Sequence, residues 1–377
     1  MGADVATRPV GAAIVHDYFI QDGGAEAVAL ELARLLPDAT VYTSFFDADR
    51  FGDRLDPARV RTWPFQRVLG PTQRFRSFLP LYPAWFSRLD LSRHDLVVSS
   101  SSSFAKAVRA RRDALHVSYI HTPMRYAWDL EGYLAGSSFS LGPRVAARIV
   151  RPTLQRWDRR TAARPDVLVA NSQTVQQRIE RLWGRRSELI HPPVDTASIP
   201  IGTSDDGFLL VAARLLAYRR IDLAVEACTR LGRQLVVVGE GPERARLEGL
   251  AGPTVSFRGF VDRPTLVDLF GRCHAYLLPG VEDFGIAPVE AMAAGKPVVA
   301  FREGGGGETV IDGRTGVLFQ EQTVGALAAA IDRLDGLTFA APDLRAHAQT
   351  FDSTVFRERW RSLFARLGVD PSLYKAR

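Results

Sequence analysis

The stretch GVEDFGIAPVEAMAAGKPVVAF, residues 280–301, contains two glutamates, Glu282 and Glu290, with seven residues between them. Pro288 is favoured at the first position of a helix, because its missing N–H would have no partner there. Glu290 then lies in the first helical turn, where the helix dipole favours a negative charge, and Glu282 lies in the preceding loop. The closing run PVVAF is typical of a buried strand. The stretch therefore predicts a loop, a helix and a strand, with an acid on each side of the helix start.

The rest of the chain repeats this alternation of short β-branched runs with longer helical patterns. Continuous apolar runs separated by helices are typical of parallel sheets that are covered on both faces. The sequence thus predicts an α/β fold. The runs that predict strands are residues 11–16, 95–101, 114–121, 166–172, 207–213, 234–240, 255–261, 275–279, 297–301 and 316–319.

Two domains are expected, because 377 residues are too many for one ordinary domain. Residues 190–207 are rich in Pro, Ser, Thr and Asp and lack periodicity, which is typical of a linker. We expect two doubly wound, Rossmann-like domains that face a cleft, over residues 1–195 and 196–350. In such sheets, ligands bind outside the carboxyl ends of the strands. The loops after the strands are therefore the places to search for functional residues.

The composition is that of a soluble globular protein, with 46% hydrophobic and 24% charged residues. Two cysteines, Cys228 and Cys273, are too few for a disulfide framework and lack a zinc-ligand spacing. The N-terminus does not resemble a signal peptide, and no run approaches the roughly 20 apolar residues that cross a bilayer. We therefore expect a cytoplasmic protein. The net charge of +6 indicates anionic partners, without separating nucleic acid, a phosphorylated substrate and a membrane surface.

Glycines and arginines follow several of the predicted strands. Gly23 and Gly24 stand directly before a predicted helix, and Arg214 and Arg219 follow the strand at 207–213. Glycine at a helix start lets a phosphate approach the free backbone N–H groups and the positive end of the dipole. A single glycine there usually marks only a turn. Several of them beside two arginines predict a cleft that binds phosphate.

The loop after Glu282 suits a nucleotide sugar. Two arbitrary glutamates would usually be a helix stabiliser and a solvated loop charge. Here the backbone amides of Phe284, Gly285 and Ile286 lie between Glu282 and Glu290. Carboxylates accept hydrogen bonds from sugar and ribose hydroxyls, and amides donate to phosphate oxygens. This order of groups favours a functional interpretation of both glutamates.

Residues 282–300, EDFGIAPVEAMAAGKPVVA, resemble the E-x7-E signature of glycosyltransferase family 4. The members of this family are retaining enzymes of the GT-B fold. The resemblance covers nearly the whole chain. HTPMRYAWDL (121–130), together with residues 79–101, most resembles bacterial mannosyltransferases that build cell-surface polysaccharides from GDP-mannose. The other segments that carry the family resemblance are Gly23–Gly24, ANSQTV (170–175), HPPVD (191–195), VAARLLAYRRIDLAVEA (211–227) and VVVGEGPERARL (236–247).

The resemblance implies a role for each matching residue. Among the catalytic group, Arg214 and Arg219 would bind the donor diphosphate, Glu282 would hold the transferred sugar, and His121 would lie beside it. Arg219 stands where the family usually has lysine; a guanidinium can still bind phosphate, with a different geometry. A histidine after a strand is often structural, which is the alternative for His121. The donor-binding residues would be Gly23 and Gly24 at the diphosphate, Glu290 at the ribose, Gly259, Phe260 and Val261 at the base, and the amides of Phe284, Gly285 and Ile286 at the sugar and phosphates.

The implied activity is transfer of a hexosyl group, mannosyl from GDP-mannose, to a glycan or lipid-linked acceptor. No metal and no cofactor beyond the nucleotide-sugar donor is expected, and DAD at 47–49 is interpreted as solvated although it superficially matches a metal-binding D-x-D motif. In the GT-B fold, a C-terminal segment, here residues 351–377, crosses back to the first domain. The alternatives are a donor linked to UDP, a GT-B nucleotide-sugar epimerase and, on arginine content, a nucleic-acid-binding protein; no stacking motif or arginine-rich helix supports the last one.

Residues 61–88 interleave arginine with Trp, Phe and Tyr. One interpretation is a pair of helices with an ordinary basic face. The other is a site for a polyprenyl-diphosphate-linked acceptor at an anionic membrane surface, which would place the protein at the inner face of the membrane. The sequence does not separate the two.

Overall fold

The computed structural model describes residues 11–66, 81–130 and 141–374. In these ranges the chain forms two sheets, of seven and six strands, in which every pairing is parallel. Helices connect the strands of both sheets. This confirms the predicted fold class of two Rossmann-like domains.

The first sheet has the strand order β3-β2-β1-β4-β5-β6-β7. The order reverses at β1, which lies between β2 and β4 and therefore borders a crevice at its carboxyl end. The strands are β1 (Ala12–His16), β2 (Thr40–Thr43), β3 (Val60–Thr62), β4 (Leu96–Ser101), β5 (Leu115–Ile120), β6 (Val167–Ala170) and β7 (Glu188–Leu189). The helices of this half are α1 (Gly24–Leu35), α2 (Ala48–Phe51), α3 (Tyr82–Ser87), α4 (Arg125–Trp128), α5 (Leu141–Ala162) and α6 (Gln173–Trp183), with short 3-10 turns at Pro57–Arg59 and Ala105–Ala107.

The second sheet has the strand order β10-β9-β8-β11-β12-β13, and its order reverses between β8 and β11. Its strands are β8 (Leu209–Ala212), β9 (Leu235–Val238), β10 (Val255–Gly259), β11 (Ala275–Leu278), β12 (Val298–Phe301) and β13 (Gly316–Phe319). Its helices are α7 (Ile221–Leu231), α8 (Arg244–Leu250), α9 (Arg263–Arg272), α10 (Ile286–Ala293), α11 (Gly305–Thr309), α12 (Val324–Asp335) and α13 (Ala341–Gln349), with a 3-10 turn at Ala217–Arg219. The sheets separate between β7 and β8, on either side of the predicted linker, while the domain boundaries themselves stay predictions.

Both faces of each sheet are buried. In β1, Ala12 and Ile14 belong to one buried cluster, and Ala13 and Val15 belong to another. Side chains alternate between the two faces of a strand, so both faces of the sheet carry a hydrophobic core. This is the reason that the strands appear in the sequence as continuous apolar runs rather than as alternating patterns.

The last helix, α14 (Ser353–Arg366), returns to the first domain and is followed by a 3-10 turn at Pro371–Leu373. Its side chains Phe356, Trp360 and Phe364 are buried in the same cluster as Ile14 of β1. The Trp360 ring lies 6.1 Å from the ring of Tyr119 in β5. The expected crossing of the C-terminal segment is thus confirmed.

The start of α10 differs from its prediction. The helix begins at Ile286, so Pro288 is its third residue and Glu290 its fifth, and no acid lies in its first turn. A proline is tolerated at any of the first few positions, because none of those N–H groups has a partner in the helix, so Pro288 does not determine the start. Gly285 determines it instead, since the backbone there has φ of +87°, a value that favours glycine.

Candidate active site

Two helix starts, one from each domain, meet in the cleft. α1 follows β1 and begins at Gly24, and α10 follows β11 and begins at Ile286. A Cβ atom added to Gly24 would lie 2.8 Å from the Cδ1 atom of Ile286, so the two helix starts are in close contact at this glycine. The first N–H groups of a helix have no partner within it and form the positive end of its dipole. Two such ends in contact favour an anion between them.

Glu26 lies in the first turn of α1 and is buried. Burial raises the pKa of its carboxyl to about 8, and the nearby Asp22 and Asp17 raise it further against a backbone hydrogen bond that lowers it. The carboxyl is therefore neutral at pH 7 and leaves the positive helix end uncancelled. Sequence analysis missed this residue, although its position three residues after Gly23 would have suggested it.

Arg219 and Glu282 form an ion pair in which Nη1 contacts Oε1. Arg219 belongs to the 3-10 turn after β8, and Glu282 lies in the loop after β11. The two loops approach each other closely at Gly280: a Cβ atom added there would lie only 2.6 Å from the carbonyl oxygen of Arg219. The structure thus brings together two of the residues expected to be catalytic, on neighbouring strands at the point where the order reverses.

Glu290 is also paired, with a residue that sequence analysis missed. Its Oε1 atom lies 2.7 Å from Nη1 of Arg263, the first residue of α9. Burial raises the pKa of Glu290, and the positive charge of Arg263 acts against that shift. Arg263 follows Gly259, Phe260 and Val261, the residues expected at the base, and Phe260 is 78% exposed. A basic residue two positions after that segment is the signal that could have identified it.

A buried chain of hydrogen bonds leads to His121. Its Nε2 atom lies 2.8 Å from Oγ of Ser100, and that Oγ lies 3.1 Å from Nδ1 of His16. Nδ1 of His16 also contacts the carbonyl oxygen of Ser100, which only an N–H can do. Oγ of Ser100 therefore accepts a hydrogen bond from His16 and is also within hydrogen-bond distance of His121. Burial lowers the pKa of His121 to about 3, so its ring is neutral.

Several ionic contacts join the domains directly. Asp283, in the loop after β11, accepts from Nη2 of Arg125 at 2.6 Å and also contacts Nη1 of Arg178. Oε1 of Glu308, in α11, lies 2.7 Å from Nε2 of His191, and the same carboxylate accepts from the amide of Gln173 at the start of α6. Sequence analysis singled out none of these as site residues, although Arg125 and His191 lie in motifs that it quoted.

The remaining expected site residues are placed as follows. Arg214 is exposed, and its side chain has no ion-pair partner among residues 11–66, 81–130 and 141–374. Gly23 precedes α1 and Gly285 precedes α10, as helix caps. The ring of Phe284 is buried in the core of the second domain, so this residue can contribute its backbone amide only. The roles of all these residues stay predictions.

A cavity of about 840 Å³ lies between α6 and the glycine-rich loop after β12. This volume is within the roughly 300–1,000 Å³ of small-molecule sites. Its lining includes Arg178 and Arg181 from the first domain and Arg302, Glu303 and Gly304 from the second. The shape of the cavity therefore depends on how the domains meet.

Asp47, from the DAD motif, caps a helix. Its carboxylate accepts from the amide of Arg50 at the start of α2. In the part of the chain that the structure describes, no three His, Cys, Asp or Glu side chains cluster in a way that could hold a metal ion. Whether the reaction requires a metal is decided by experiment, as proposed below.

Two family models match consecutive segments of the chain. The model described as Glycosyltransferase Family 4 matches residues 22–198, and the model described as Glycosyl transferases group 1 matches residues 199–335. The chain belongs to glycosyltransferase family 4. Membership of this family agrees with the two sheets and with the facing helix starts.

Named relatives of this family 4 chain have different activities. A GDP-mannose-dependent alpha-(1-6)-phosphatidylinositol monomannoside mannosyltransferase of Mycolicibacterium smegmatis is 29% identical over 244 residues, which are 55% of this chain and 63% of that protein. A glycogen synthase of Mycobacterium tuberculosis is 32% identical over 185 residues, 44% of either protein. The chain thus spans about half the length of the curated relatives that it matches.

Solved structures resemble the family 4 chain along nearly its whole length. Anabaena HepE, in complex with UDP and glucose, has a TM-score of 0.69 and 18% identity over 94% of this chain and 99% of its own. Sucrose-phosphate synthase from Thermosynechococcus elongatus has a TM-score of 0.68 and 18% identity over 95% and 99%. At this identity the likeness establishes the GT-B fold.

Proposed function

We propose that the protein transfers a hexosyl group from a nucleotide sugar to a glycan or lipid-linked acceptor, with retention of the anomeric configuration. The observation that carries this proposal is the meeting of two helix starts, one from each domain, at Gly24 and Ile286. Their positive ends, with a neutral Glu26 and with Arg219 on the neighbouring loop, suit a diphosphate that spans the cleft. Family membership and the GT-B fold support it.

The chemistry of the site follows from this placement. As the bond between the sugar and the diphosphate breaks, negative charge grows on the diphosphate, where Arg219, Arg214 and the helix ends stabilise it. Positive charge grows at the anomeric carbon, beside Glu282 and His121. We expect neither acid to act as a covalent nucleophile; in this structure, Glu282 is paired with Arg219 and Glu290 with Arg263. A displacement on one face of the sugar accounts for retention without a covalent intermediate.

GDP-mannose is the donor that we propose. Support comes from the HTPMRYAWDL motif and from the relatives named as GDP-mannose-dependent mannosyltransferases. The alternative, a UDP-linked sugar, is favoured by the UDP and glucose in the HepE complex. The two domains would contribute Gly259, Phe260, Val261 and Glu290 on the base and ribose side, and Gly23 and Gly24 on the phosphate side.

A thermal-shift series tests the donor. A ligand that binds the folded state raises the melting temperature by mass action. GDP and GDP-mannose should therefore stabilise the protein at lower concentrations than UDP and UDP-glucose. If the UDP ligands stabilise it more strongly, the donor proposal is wrong while the transferase proposal stands.

Product analysis separates the transferase from an epimerase. A transferase should release nucleoside diphosphate in proportion to glycosylated acceptor, whereas an epimerase would convert the donor with no acceptor present.

We also propose that turnover needs no metal ion, because arginines and helix ends neutralise the diphosphate. Activity should then persist in excess EDTA, and a loss that manganese restores would contradict this.

Peripheral contact with an anionic membrane is the remaining part of the proposal. Exposed Arg61, Arg88 and Arg93 line a groove of about 420 Å³, and Phe65 and Leu81 nearby are 55% and 50% exposed. Such a mixture suits the headgroup region of a bilayer. Residues 67–80 of this segment lie outside the described residues. None of the described helices is long and apolar enough to span a membrane.

Vesicle sedimentation tests this contact. The protein should sediment with vesicles that contain phosphatidylglycerol and remain in solution with vesicles of phosphatidylcholine alone. Reversing the charge of Arg88 and Arg93 should reduce that binding. Equal binding to both kinds of vesicle, or none to either, would contradict an electrostatic contact.

A further inference from the structure

Asp283 lies where the two domains meet, and donor binding does not explain its contacts. It belongs to the second domain, and both of its partners belong to the first: Arg125 in α4 at 2.6 Å, and Arg178 in α6. The guanidinium of Arg178 also lies 3.4 Å from the hydroxyl of Thr122, the neighbour of His121. The side chain of Asp283 is 14% exposed, and those of both arginines 27%. These three charges are thus held together and largely buried by the contact between the domains.

Arg125 makes a second contact with the other domain. Its guanidinium lies 4.8 Å from the centre of the Tyr218 ring, a favourable arrangement of a cation over an aromatic face. Tyr218 directly precedes Arg219, and Asp283 directly follows Glu282. Arg125 therefore contacts the immediate neighbours of both members of the Arg219–Glu282 pair. One side chain of the first domain reaches the two loops that would hold the donor.

We propose that Arg125 and Arg178 are positioning residues, which hold the two donor loops in place through Asp283 and Tyr218 when the domains close. This inference rests on the proposed function. The segment that follows Asp283, residues Phe284 to Ile286, supplies the amides that would face the donor, so a shift of Asp283 would also move them. In the open state the same three charges are hydrated, and the loops lose their support from the first domain.

The energetics suit a reversible contact. Moving charges from water into a contact between domains is costly, and the attraction between them roughly offsets the cost when the geometry is good. Burial alone would raise the pKa of Asp283, but the charges of Arg125 and Arg178 outweigh it and lower the pKa, so the carboxylate stays ionised. A contact of small net stability leaves the open and closed states close in free energy. A donor that binds both domains can then shift the population towards closure.

Distances measured without any ligand test the contact itself. Spin labels can be attached at Asp49→Cys and Ala245→Cys, which are exposed positions on α2 and α8, away from the linker. The native Cys228 and Cys273 are buried and should not react. Asp283→Asn should move the distance distribution to longer values than in the otherwise native protein. Glu180→Gln is the matched control, because Glu180 is an exposed carboxylate on α6, two residues from Arg178, and does not line the cavity between the domains; it should leave the distribution unchanged.

Steady-state kinetics test the positioning role. Asp283→Asn and Arg125→Gln should each lower kcat/KM by about 10- to 150-fold, the size expected when a hydrogen bond between charged groups is lost. Arg125→Lys should retain part of the activity, since the charge remains. The double variant should lose less than the two single effects together, because both changes break the Arg125–Asp283 contact. The Arg178–Asp283 and Arg125–Tyr218 contacts are each broken by only one of the two changes.

Three results would overturn the inference: an unchanged distance distribution in Asp283→Asn, unchanged kinetics, or effects that simply add in the double variant. Arg178→Gln provides a second route if Asp283→Asn does not fold, since it leaves Asp283 paired with Arg125. The distance measurement needs no substrate. It therefore tests the contact between the domains independently of the proposed function, and its result stands even if the protein turns over no nucleotide sugar.

Discussion

Arg219 is the residue at which this chain departs from the lysine that is usual at its position in the family. Its guanidinium contacts Glu282 and lies 5.3 Å from the centre of the Tyr218 ring, so a planar group is held between an acid and an aromatic face. If it stabilises the departing diphosphate, Arg219→Ala should lower kcat strongly, and Arg219→Lys should retain much of the activity. Single-turnover rates with saturating donor measure this effect.

The control for the Arg219 variants is a measurement of their stability. Removing the guanidinium leaves the buried carboxylate of Glu282 without its ion-pair partner, which lowers stability by itself. Melting temperatures of Arg219→Ala and Arg219→Lys must therefore be compared before the rates are interpreted. A folded Arg219→Ala variant with native turnover would show that this side chain does not contact the diphosphate during the reaction.

The two glutamates of the E-x7-E motif should differ in kinetics. Glu290, if it binds ribose hydroxyls, holds a part of the donor that changes little during reaction, so Glu290→Gln should mainly raise the donor KM. A lost hydrogen bond to a charged group corresponds to about 1.5–3 kcal/mol, or about 10- to 150-fold. Glu282, if it holds the transferred sugar, lies where positive charge develops, so Glu282→Gln should mainly lower kcat. Initial rates over a range of donor concentrations separate the two effects.

Both substitutions disturb an ion pair, and this sets their controls. Glu290→Gln leaves Arg263, whose side chain is 46% exposed and remains hydrated, whereas Glu282→Gln leaves the more buried Arg219. Glu282→Gln should therefore cost more stability. If both variants melt as the native protein does and keep its KM and kcat, neither carboxylate contacts the donor.

At the scale of elements, α14 joins the end of the chain to the first domain. Trp360 is fully buried and packs near Tyr119 of β5, and Arg357 pairs with Glu31 of α1 at 2.5 Å. Trp360→Ala should lower the free energy of unfolding by about 3–5 kcal/mol, as is typical when a buried aromatic side chain is lost. Removing residues 355–377 should destabilise the protein more. Denaturant unfolding measures both.

Arg361, which is exposed on the same helix, provides the matched control. Arg361→Ala should change the free energy of unfolding by no more than about 0.5 kcal/mol, as is usual for surface substitutions. A truncated protein that unfolds at the same denaturant concentration as the intact one would contradict the packing of α14 on the first domain.

The elements that could be predicted from the sequence are those with strong local signals. The buried strands β1, β4, β5, β8, β9, β11 and β12 all appear as apolar runs, because both of their faces are covered. β2, β3 and β7 were missed. Val-Arg-Thr and Glu-Leu at the sheet edges carry no such run, and Thr-Val-Tyr-Thr of β2 is short and has a polar residue at each end. The start of α10 was misplaced, because it depends on the backbone angle of Gly285 and not on Pro288.

Candidate site residues could be named from the sequence where the signal is local, and not where residues join the domains. Glu282, Arg219 and the glycine at α1 are candidates from motifs of a few residues, and their roles stay predictions. Their pairing, by contrast, depends on distant segments: Arg263 reaches Glu290, and Arg125 reaches Asp283 from 158 positions away. No periodicity or spacing in the sequence specifies such contacts, because they arise only when the two sheets face each other.

At the scale of the whole molecule, buried titratable groups make stability depend on pH in two opposite directions. Burial lowers the pKa of His16 to about 4, and those of His116 and His121 to about 3. Burial raises the pKa of Glu26 to about 8. All four groups lie in the first domain. Their effects on stability follow from which state, folded or unfolded, binds the proton more readily.

The histidines determine how stability decreases at acidic pH. In the unfolded chain they bind protons below pH of about 6.5, while in the folded protein they resist protonation until pH of about 3 to 4. The stability that they contribute is therefore present above pH of about 6.5 and is lost as the pH falls below it. Glu26 determines the other side: the unfolded carboxyl releases its proton near pH 4.5, and the folded one near pH 8. Its contribution is lost as the pH rises between these values.

The melting temperature should consequently be highest near pH of about 6.5 and decrease on both sides. Between about pH 4.5 and 6.5 these histidines act against Glu26, so stability rises with pH; between about pH 6.5 and 8 Glu26 acts without them, so stability falls. Burial also lowers the pKa of His94 and raises that of Glu290, so these two groups add to the same two slopes. Glu26→Gln keeps the shape of the side chain and removes its titration. This variant should melt at a nearly constant temperature between pH 6.5 and 8, and should be more stable than the native protein at pH 8. Calorimetry at several pH values measures this, and a variant whose melting temperature decreases as steeply as that of the native protein would show that Glu26 is not the titrating group.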